Sequence, residues 1–96
     1  MIFMSERIVI ISAHAARRMR TFQVLVRDVE EVLRTGEVIR RYPEDRPYES
    51  RLLFGMVGGR PLHVVAADAE ELGATFVITV YRPDPELWET DWKRKR

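Results

Sequence analysis

The sequence RLLFGMVGGRPLHVVAA, residues 51–67, decides the expected fold. Two apolar runs, 51–57 and 60–67, flank the pair Gly58-Gly59. Glycine takes positive φ angles without steric cost, and a glycine pair between apolar runs is typical of a tight β-hairpin. We therefore predict two antiparallel strands joined by a two-residue turn.

Two further strands are predicted on either side of this hairpin. Residues 74–81 (ATFVITVY) are rich in β-branched and aromatic residues, and Pro83 and Pro85 stop that strand. Residues 37–42 (EVIRRY) form the other predicted strand, which Pro43 ends. The segments between strands, 43–50 and 68–73, are polar and are expected to be a loop and a turn.

The N-terminal part of the chain predicts a short strand followed by two helices. Residues 7–11 (RIVII) are apolar and β-branched, as in a strand. Ser12 then precedes an alanine-rich run and is a candidate N-cap for a helix over residues 13–22.

The second helix is predicted over residues 28–35, beginning a residue or two earlier. Val29, Val32 and Leu33 have the i, i+3, i+4 spacing of a buried stripe. Gly36 follows at the position where a C-cap glycine belongs.

The element order β-α-α-β-β-β-β predicts an α+β fold. Short links between the later strands favour a mainly antiparallel sheet of four to five strands, with the two N-terminal helices packed on one face. We expect one domain over residues 1–92 and a basic C-terminal tail, 93–96. Residues 86–92 are predicted to form a last short helix, with Leu87 or Trp88 folding back on the sheet.

Composition excludes several classes of site. The chain has no cysteine, so it has no disulfide and no thiolate metal site, and it fits a cytoplasmic protein. Glu6 and Arg7 interrupt the apolar N-terminal residues, which differs from a secretory signal. No apolar run approaches the ~20 residues needed to span a membrane.

Charge is distributed unevenly, although the net charge is only +1. Residues 1–27 carry five arginines and one acidic residue, residues 28–92 carry seven arginines and fourteen acidic residues, and residues 93–96 are all basic. This pattern excludes a uniformly basic nucleic-acid-binding protein. A basic first face with a basic tail, or a merely solvated helix face and tail, are both compatible with it.

The start of the first helix is one candidate anion site. His14 lies one residue inside that helix, where backbone N–H groups favour an anion. Arg18 lies one turn further on, next to Arg17, and guanidinium groups would add donors to a phosphate. The alternative is that His14 packs or caps locally while the arginines face water.

A second candidate site lies on the strand that contains His63. Strand alternation places Leu62 and Val64 on one face and His63 on the other, the open face if the first two meet the helices. Val77, Thr79 and Tyr81 are expected to share one face of the neighbouring strand, with Tyr81 near His63. Arg60 and Arg82, at strand ends, would add positive charge there. A purely structural histidine is the alternative.

Motifs for phosphate loops, metal ligands or nucleophile elbows are not found. Gly55, Gly58 and Gly59 lack Walker or Rossmann spacing, and two histidines do not suffice for a His-rich zinc site. We therefore expect no metal and no cofactor.

Four blocks of the chain resemble a bacterial domain-of-unknown-function family, number 4258. The blocks are Ser12-x-His14-Ala15-x-x-Arg18-Met19, Asp28-Val29-Glu30-x-Val32-Leu33-x-x-Gly36-Glu37, Gly59-Arg60-Pro61-Leu62-His63-Val64-Val65 and Ile78-Thr79-Val80-Tyr81-x-Pro83. One departure is that Phe22-Gln23-Val24 stands where relatives often have Arg-Gly-Ile.

The family is similar, at a distance, to RelE-like toxins, the small ribonucleases of toxin–antitoxin pairs. This resemblance implies metal-independent cleavage of messenger RNA by attack of a ribose 2′-hydroxyl on the adjacent phosphate. It also implies a small antitoxin partner of the zinc-finger type. His14 or His63 would then move the proton, Arg18 and Arg60 would hold the phosphate, and Tyr81 would donate a hydrogen bond or stack on a base.

Two other functions are open at this point. One is a non-catalytic module that binds a protein or a nucleic acid through the same face. The other, a small-molecule enzyme using the two histidines, is less favoured because no cofactor signature is present.

Overall fold

The computed structural model describes residues 2–4 and 7–96, so Glu6 lies outside the described residues. These residues form one sheet and two helices. The strands are β1 (Ile2–Met4), β2 (Arg7–Ile11), β3 (Glu37–Tyr42), β4 (Ser50–Val57), β5 (Arg60–Ala69) and β6 (Ala74–Tyr81). The helices are α1 (Ala13–Phe22) and α2 (Val26–Thr35).

The sheet has the order β1-β2-β6-β5-β4-β3. Among the described strands, β2 and β6 are parallel, and every other neighbouring pair is antiparallel. The chain leaves β2, crosses through both helices to β3, and returns as a meander that places β6 beside β2. The predicted α+β class and element order are confirmed. The short β1 is an additional edge strand that pairs with β2.

The hydrophobic core lies between the helices and one face of the sheet. The helices contribute Ala15, Met19, Val29 and Val32, all buried. Leu62 and Val64 of β5 belong to the same cluster, and both are 0% exposed. The predicted alternation of β5 is therefore confirmed at this point, and His63 lies on the opposite face.

One strand assignment was wrong because of an irregularity in the β5–β6 pairing. The register shifts between Val65 and Ala66, so Val65 pairs with Thr79 and Ala66 pairs with Val77. Val77 consequently joins Val80 in the core cluster and does not share the face of Tyr81. A bulge inserts one extra residue and so breaks strict alternation, which a period-two pattern does not reveal.

The first helix begins at the predicted N-cap and ends at a residue with a strained backbone conformation. The Ser12 side chain accepts a hydrogen bond from the Ala15 N–H at 2.9 Å, which confirms the N-cap. At the other end, Gln23 has φ 57° and ψ 46°, the left-handed conformation. The family pattern that the sequence resembles has a glycine at this position, where this chain has Gln23.

Gly36 ends α2, as predicted. It does not adopt the left-handed conformation of a typical C-cap glycine, so glycine is required here for another reason. Its φ of −71° is accessible to any residue. A Cβ atom at this position would lie 2.5 Å from the Val32 carbonyl oxygen and 3.0 Å from the Phe54 carbonyl oxygen. Glycine is therefore needed here for the close approach of two backbone segments.

The predicted C-terminal helix over residues 86–92 is not formed. Residues 84–96 instead make turns and fold back on themselves, with Trp88 bridged to Lys95 and the Arg96 N–H donating to the Leu87 carbonyl. Pro83 and Pro85 restrict the start of this segment, and Asp84 and Asp91 hydrogen-bond backbone N–H groups of turns. The expected return of an apolar residue to the sheet is made by Trp88.

One residue of the basic tail contacts the sheet, and another bonds within the C-terminal segment. Lys93 Nζ lies 2.9 Å from a carboxylate oxygen of Glu37 on β3, and Arg96 donates from Nε to the Pro85 carbonyl. We name residues 83–96 the C-terminal strap, because they cross the sheet face opposite the helices.

Replacing Gln23 by glycine is expected to stabilise the protein. The left-handed conformation costs an L-residue roughly 1–2 kcal/mol, and the added freedom of an unfolded glycine offsets about half of this. Thermal or urea unfolding of Gln23→Gly is expected to show a gain of about 0.5–1 kcal/mol. The control Gln23→Ala keeps the strain and removes the same side chain, so equal stability of the two variants would contradict the prediction.

Candidate functional site

Four of the predicted site residues line one cleft. Arg18, Arg60, Tyr81 and Arg82 surround an open volume of about 640 Å³ beside the C-terminal end of α1 and the first residues of the strap. They come from α1, the start of β5 and the end of β6, and the sheet register brings the two strand ends together. We name this the arginine cleft.

The guanidinium group of Arg82 is bonded to a backbone carbonyl and not to a carboxylate. Arg82 Nη1 donates to the Pro61 carbonyl at 3.0 Å, while Arg82 Nε is buried and has no hydrogen-bond partner among the described residues. Burial and the nearby charge of Arg60 both lower the pKa of Arg82, and Asp28 opposes this. Arginine remains charged regardless, so the cleft concentrates positive charge that an anion would relieve.

Arg18 is positioned by an aromatic contact. Its guanidinium carbon lies 4.9 Å from the centroid of the Phe22 ring, one helical turn away. A cation–π contact of this kind holds a guanidinium in place and leaves its N–H groups free in the ring plane. The helix thus presents Arg18 to the cleft as a preformed donor.

His63 is fully buried behind the cleft and does not itself reach it. Its Nδ1 lies 3.1 Å from the Tyr81 hydroxyl, and its Nε2 lies 2.7 Å from the Trp92 carbonyl oxygen. The Trp88 ring closes the space at 4.6 Å between centroids. A carbonyl only accepts, so Nε2 carries the proton and Nδ1 accepts from Tyr81.

The electrostatic surroundings keep this pair neutral. Burial lowers the pKa of His63, with the Trp92 carbonyl acting in the opposite direction. Burial also raises the pKa of Tyr81, Tyr42 adds to the increase, and the charge of Arg40 reduces it. The result is a neutral Tyr81 hydroxyl that donates a hydrogen bond to a neutral imidazole.

The other two predicted residues lie outside the arginine cleft. His14 is exposed, with Nε2 3.0 Å from the Thr79 hydroxyl, and it borders a different cavity that includes Phe76 and Ile78. Arg17 is also exposed, and it faces away because it lies about 100° around the helix from Arg18. The structure therefore unites His63, Tyr81, Arg18, Arg60 and Arg82 but separates His14 and Arg17 from them.

Three parts of the site were missed by sequence reasoning. Trp88 and the Trp92 carbonyl come from the strap, which had been expected to form a helix, and Arg40 comes from β3. A bulge between Val38 and Arg40 shifts the register of β3 against β4. Strict alternation therefore does not indicate on which face of the sheet Arg40 lies. The only available signal was the apolar spacing of the two tryptophans.

No group of three or more potential ligands suited to a metal ion occurs in the described part of the chain. Within the same residues, neither helix has the length and apolar character required to cross a bilayer.

The comparison with protein families supports the resemblance seen in the sequence. The model for a domain of unknown function, DUF4258, matches residues 11–82. The chain belongs to the DUF4258 family. The matched residues run from the end of β2 to Arg82, so the DUF4258 region includes all seven predicted site residues, whereas the strap follows it. No match was found among curated proteins, and none among solved structures.

The buried His63 is expected to make the protein less stable in acid. The pKa in the folded state is lower than the ordinary value of 6.5, so the unfolded chain binds the proton more readily. The contribution of His63 to the free energy of unfolding is therefore constant above pH 6.5. It declines as the pH falls from 6.5 towards the folded-state pKa.

The chain has only two histidines, so the variant His14→Gln leaves His63 as the single imidazole to observe. NMR titration of its ring protons should give a pKa below 6.5, and unfolding midpoints of the same variant should fall over that pH range. A ring that titrates at or above 6.5 would show that the prediction is wrong.

Proposed function

We propose that this DUF4258 protein is a metal-independent endoribonuclease, and that the arginine cleft is its active site. The observation that carries the proposal is the Tyr81 hydroxyl bonded to the buried His63 at the edge of a cleft with Arg18, Arg60 and Arg82. Attack of a ribose 2′-hydroxyl on its neighbouring phosphate needs a proton acceptor and stabilisation of phosphorane charge. These residues supply both requirements.

The proton acceptor in this scheme is a two-residue relay. The Tyr81 oxygen takes the proton of the 2′-hydroxyl while its own proton passes to His63 Nδ1. The imidazolium that forms is stabilised by the hydrogen bond from Nε2 to the Trp92 carbonyl. The 2′-oxygen bonds to phosphorus, the 5′-oxygen leaves, and the relay returns the proton to that oxygen, giving a 2′,3′-cyclic phosphate.

The arginines act on the phosphate. Arg60 is exposed and lines the same cleft as Arg82, whose pKa its charge lowers, so a phosphate bound in the cleft would be attracted by both guanidinium groups. Charge-assisted hydrogen bonds from guanidinium groups to phosphate oxygens are about twice as strong as neutral ones. Because these donors are in place before substrate binds, they stabilise charge that develops in the transition state.

The biological role proposed with this chemistry is that of a RelE-like toxin controlled by a small antitoxin of the zinc-finger type. The support for it is the resemblance of the four sequence blocks, and its place of action would be the cytoplasm, where messenger RNA is translated. An arrest of bacterial growth on induced expression, relieved by the protein encoded beside it, is the expected behaviour.

A second candidate is a non-catalytic module that binds nucleic acid or a protein through the same cleft. The complete burial of His63 favours it, because the imidazole contacts no solvent. The two candidates differ in one measurable respect: only the first predicts RNA cleavage that depends on Tyr81.

The variant Tyr81→Phe is expected to reduce the cleavage rate by about 10²–10⁴-fold, because it removes the relay hydroxyl and preserves the ring packing. Cleavage of a single-stranded RNA in EDTA should yield 2′,3′-cyclic phosphate ends with the unmodified protein. Cleavage at an undiminished rate by Tyr81→Phe would exclude the relay, and RNA binding without any cleavage would favour the second candidate.

Replacing Arg60 by glutamine is expected to remove one phosphate contact. For a single strand, each such contact contributes about 0.7 to the slope of log affinity against log salt concentration, so the slope should fall by about that amount. Arg17→Gln removes the same charge from an exposed position outside the cleft and is the matched control. Equal losses in the two variants would show that only overall charge matters.

A further inference from the structure

A second cavity, separate from the arginine cleft, lies where β6 meets the loop that joins β3 to β4. Its volume is about 630 Å³, within the range of small-molecule sites in proteins. Its lining is mostly apolar, and Ser12, His14, Asp45 and Arg46 are its other members. The proposed cleavage chemistry uses none of these wall residues, so the cavity requires its own explanation.

The apolar wall contains an aromatic pair. The rings of Tyr48 and Phe76 have centroids 6.3 Å apart and planes that differ by 14°. The Tyr48 hydroxyl donates to a Glu71 carboxylate oxygen at 2.9 Å, which fixes the orientation of its ring. Ile78, 41% exposed, extends the same wall. Such a surface suits a flat aromatic ring, which stacks on side chains of this kind.

Among the polar residues of the lining, the Asp45 carboxylate favours a ligand that donates hydrogen bonds. The Oδ2 atom of Asp45 accepts a hydrogen bond from the Ser50 hydroxyl. Its Oδ1 atom has no hydrogen bond within the described residues. Arg46 is held by bonds from Nη1 to the Pro43 and Asp45 carbonyls. His14 borders the cavity from the side of α1.

Charge around this cavity differs from that of the arginine cleft. The charged side chains that line it are Asp45 and Arg46, one of each sign, whereas three arginines line the arginine cleft. Because this lining has no surplus of cationic groups, it offers little attraction to a phosphate or another anion. A neutral heterocycle with N–H donors matches both the aromatic wall and the free carboxylate oxygen.

We propose that this cavity binds a purine base, and guanine in preference to adenine. The base would stack on the Tyr48–Phe76 wall and offer the N–H donors of its Watson–Crick edge to Asp45, a pairing that adenine cannot make because its N1 is an acceptor. The site accepts a nucleoside without a phosphate. The proposal therefore holds or fails independently of RNA cleavage in the arginine cleft.

Binding of free guanosine and adenosine to the ¹⁵N-labelled protein tests the assignment. Guanosine, titrated to its solubility limit, should shift the amide signals of residues 45–48 and 76–78, and adenosine should do so more weakly. Tyr48→Leu removes the ring but keeps an apolar side chain, and it should weaken guanosine binding about tenfold, as expected for the loss of one base–aromatic stack.

Two matched variants complete the test. Tyr48→Phe keeps the ring and loses only the bond to Glu71, so it should bind guanosine within about threefold of the unmodified protein. Asp45→Asn retains an acceptor for Ser50 but replaces the carboxylate, and it should abolish the preference for guanosine. Signals that do not shift, that shift elsewhere, or that respond equally in Tyr48→Leu would overturn the proposal.

Discussion

Pairing of β5 with β4 on one side and with β6 on the other is the constraint on which the rest of the molecule depends. Leu62, His63 and Val64 are each 0% exposed, so this strand is buried on both faces. Its helix-facing side chains form the centre of the core. Its opposite face buries an imidazole, which would cost about 1–3 kcal/mol if it lacked partners. The register of β6, which supplies Tyr81, and the path of the strap, which supplies the Trp92 carbonyl, together provide those partners.

The same pairing explains why the arginine cleft exists. Arg60 begins β5 and Arg82 follows β6, so antiparallel registration places the two guanidinium groups at one end of the sheet. Arg18 reaches that end because α1 packs along β6 and its Phe22 holds the guanidinium. Like charges gathered in this way do not stabilise a fold. Their presence beside the Tyr81–His63 pair is the physical basis for the phosphate chemistry proposed at this end of the molecule, and the purine site proposed at the aromatic cavity lies apart from it.

Local patterns predicted most of the fold. The hairpin at Gly58-Gly59, the N-cap at Ser12 and the end of α2 at Gly36 depend on short-range stereochemistry, which the sequence carries directly. The failures have a common cause. The bulge at Ile78 and the non-helical strap depend on contacts with distant residues, namely Val65 and Ala66 on the neighbouring strand and His63 under Trp88. The left-handed Gln23 is a third case, because glutamine does not indicate the conformation that the chain imposes at that turn.

The sequence by itself determined the α+β class, the order of elements and the identity of the cationic and titratable residues, because periodicity and composition are local properties. It also indicated the family, since the four sequence blocks, apart from Pro83, lie within the region that the family model matches. Only the tertiary structure decided which of those residues lie together. It brought His63 to Tyr81 and the three arginines to one cleft, and it placed His14 and Arg17 elsewhere, because strand register and helix rotation set distances that no linear spacing encodes.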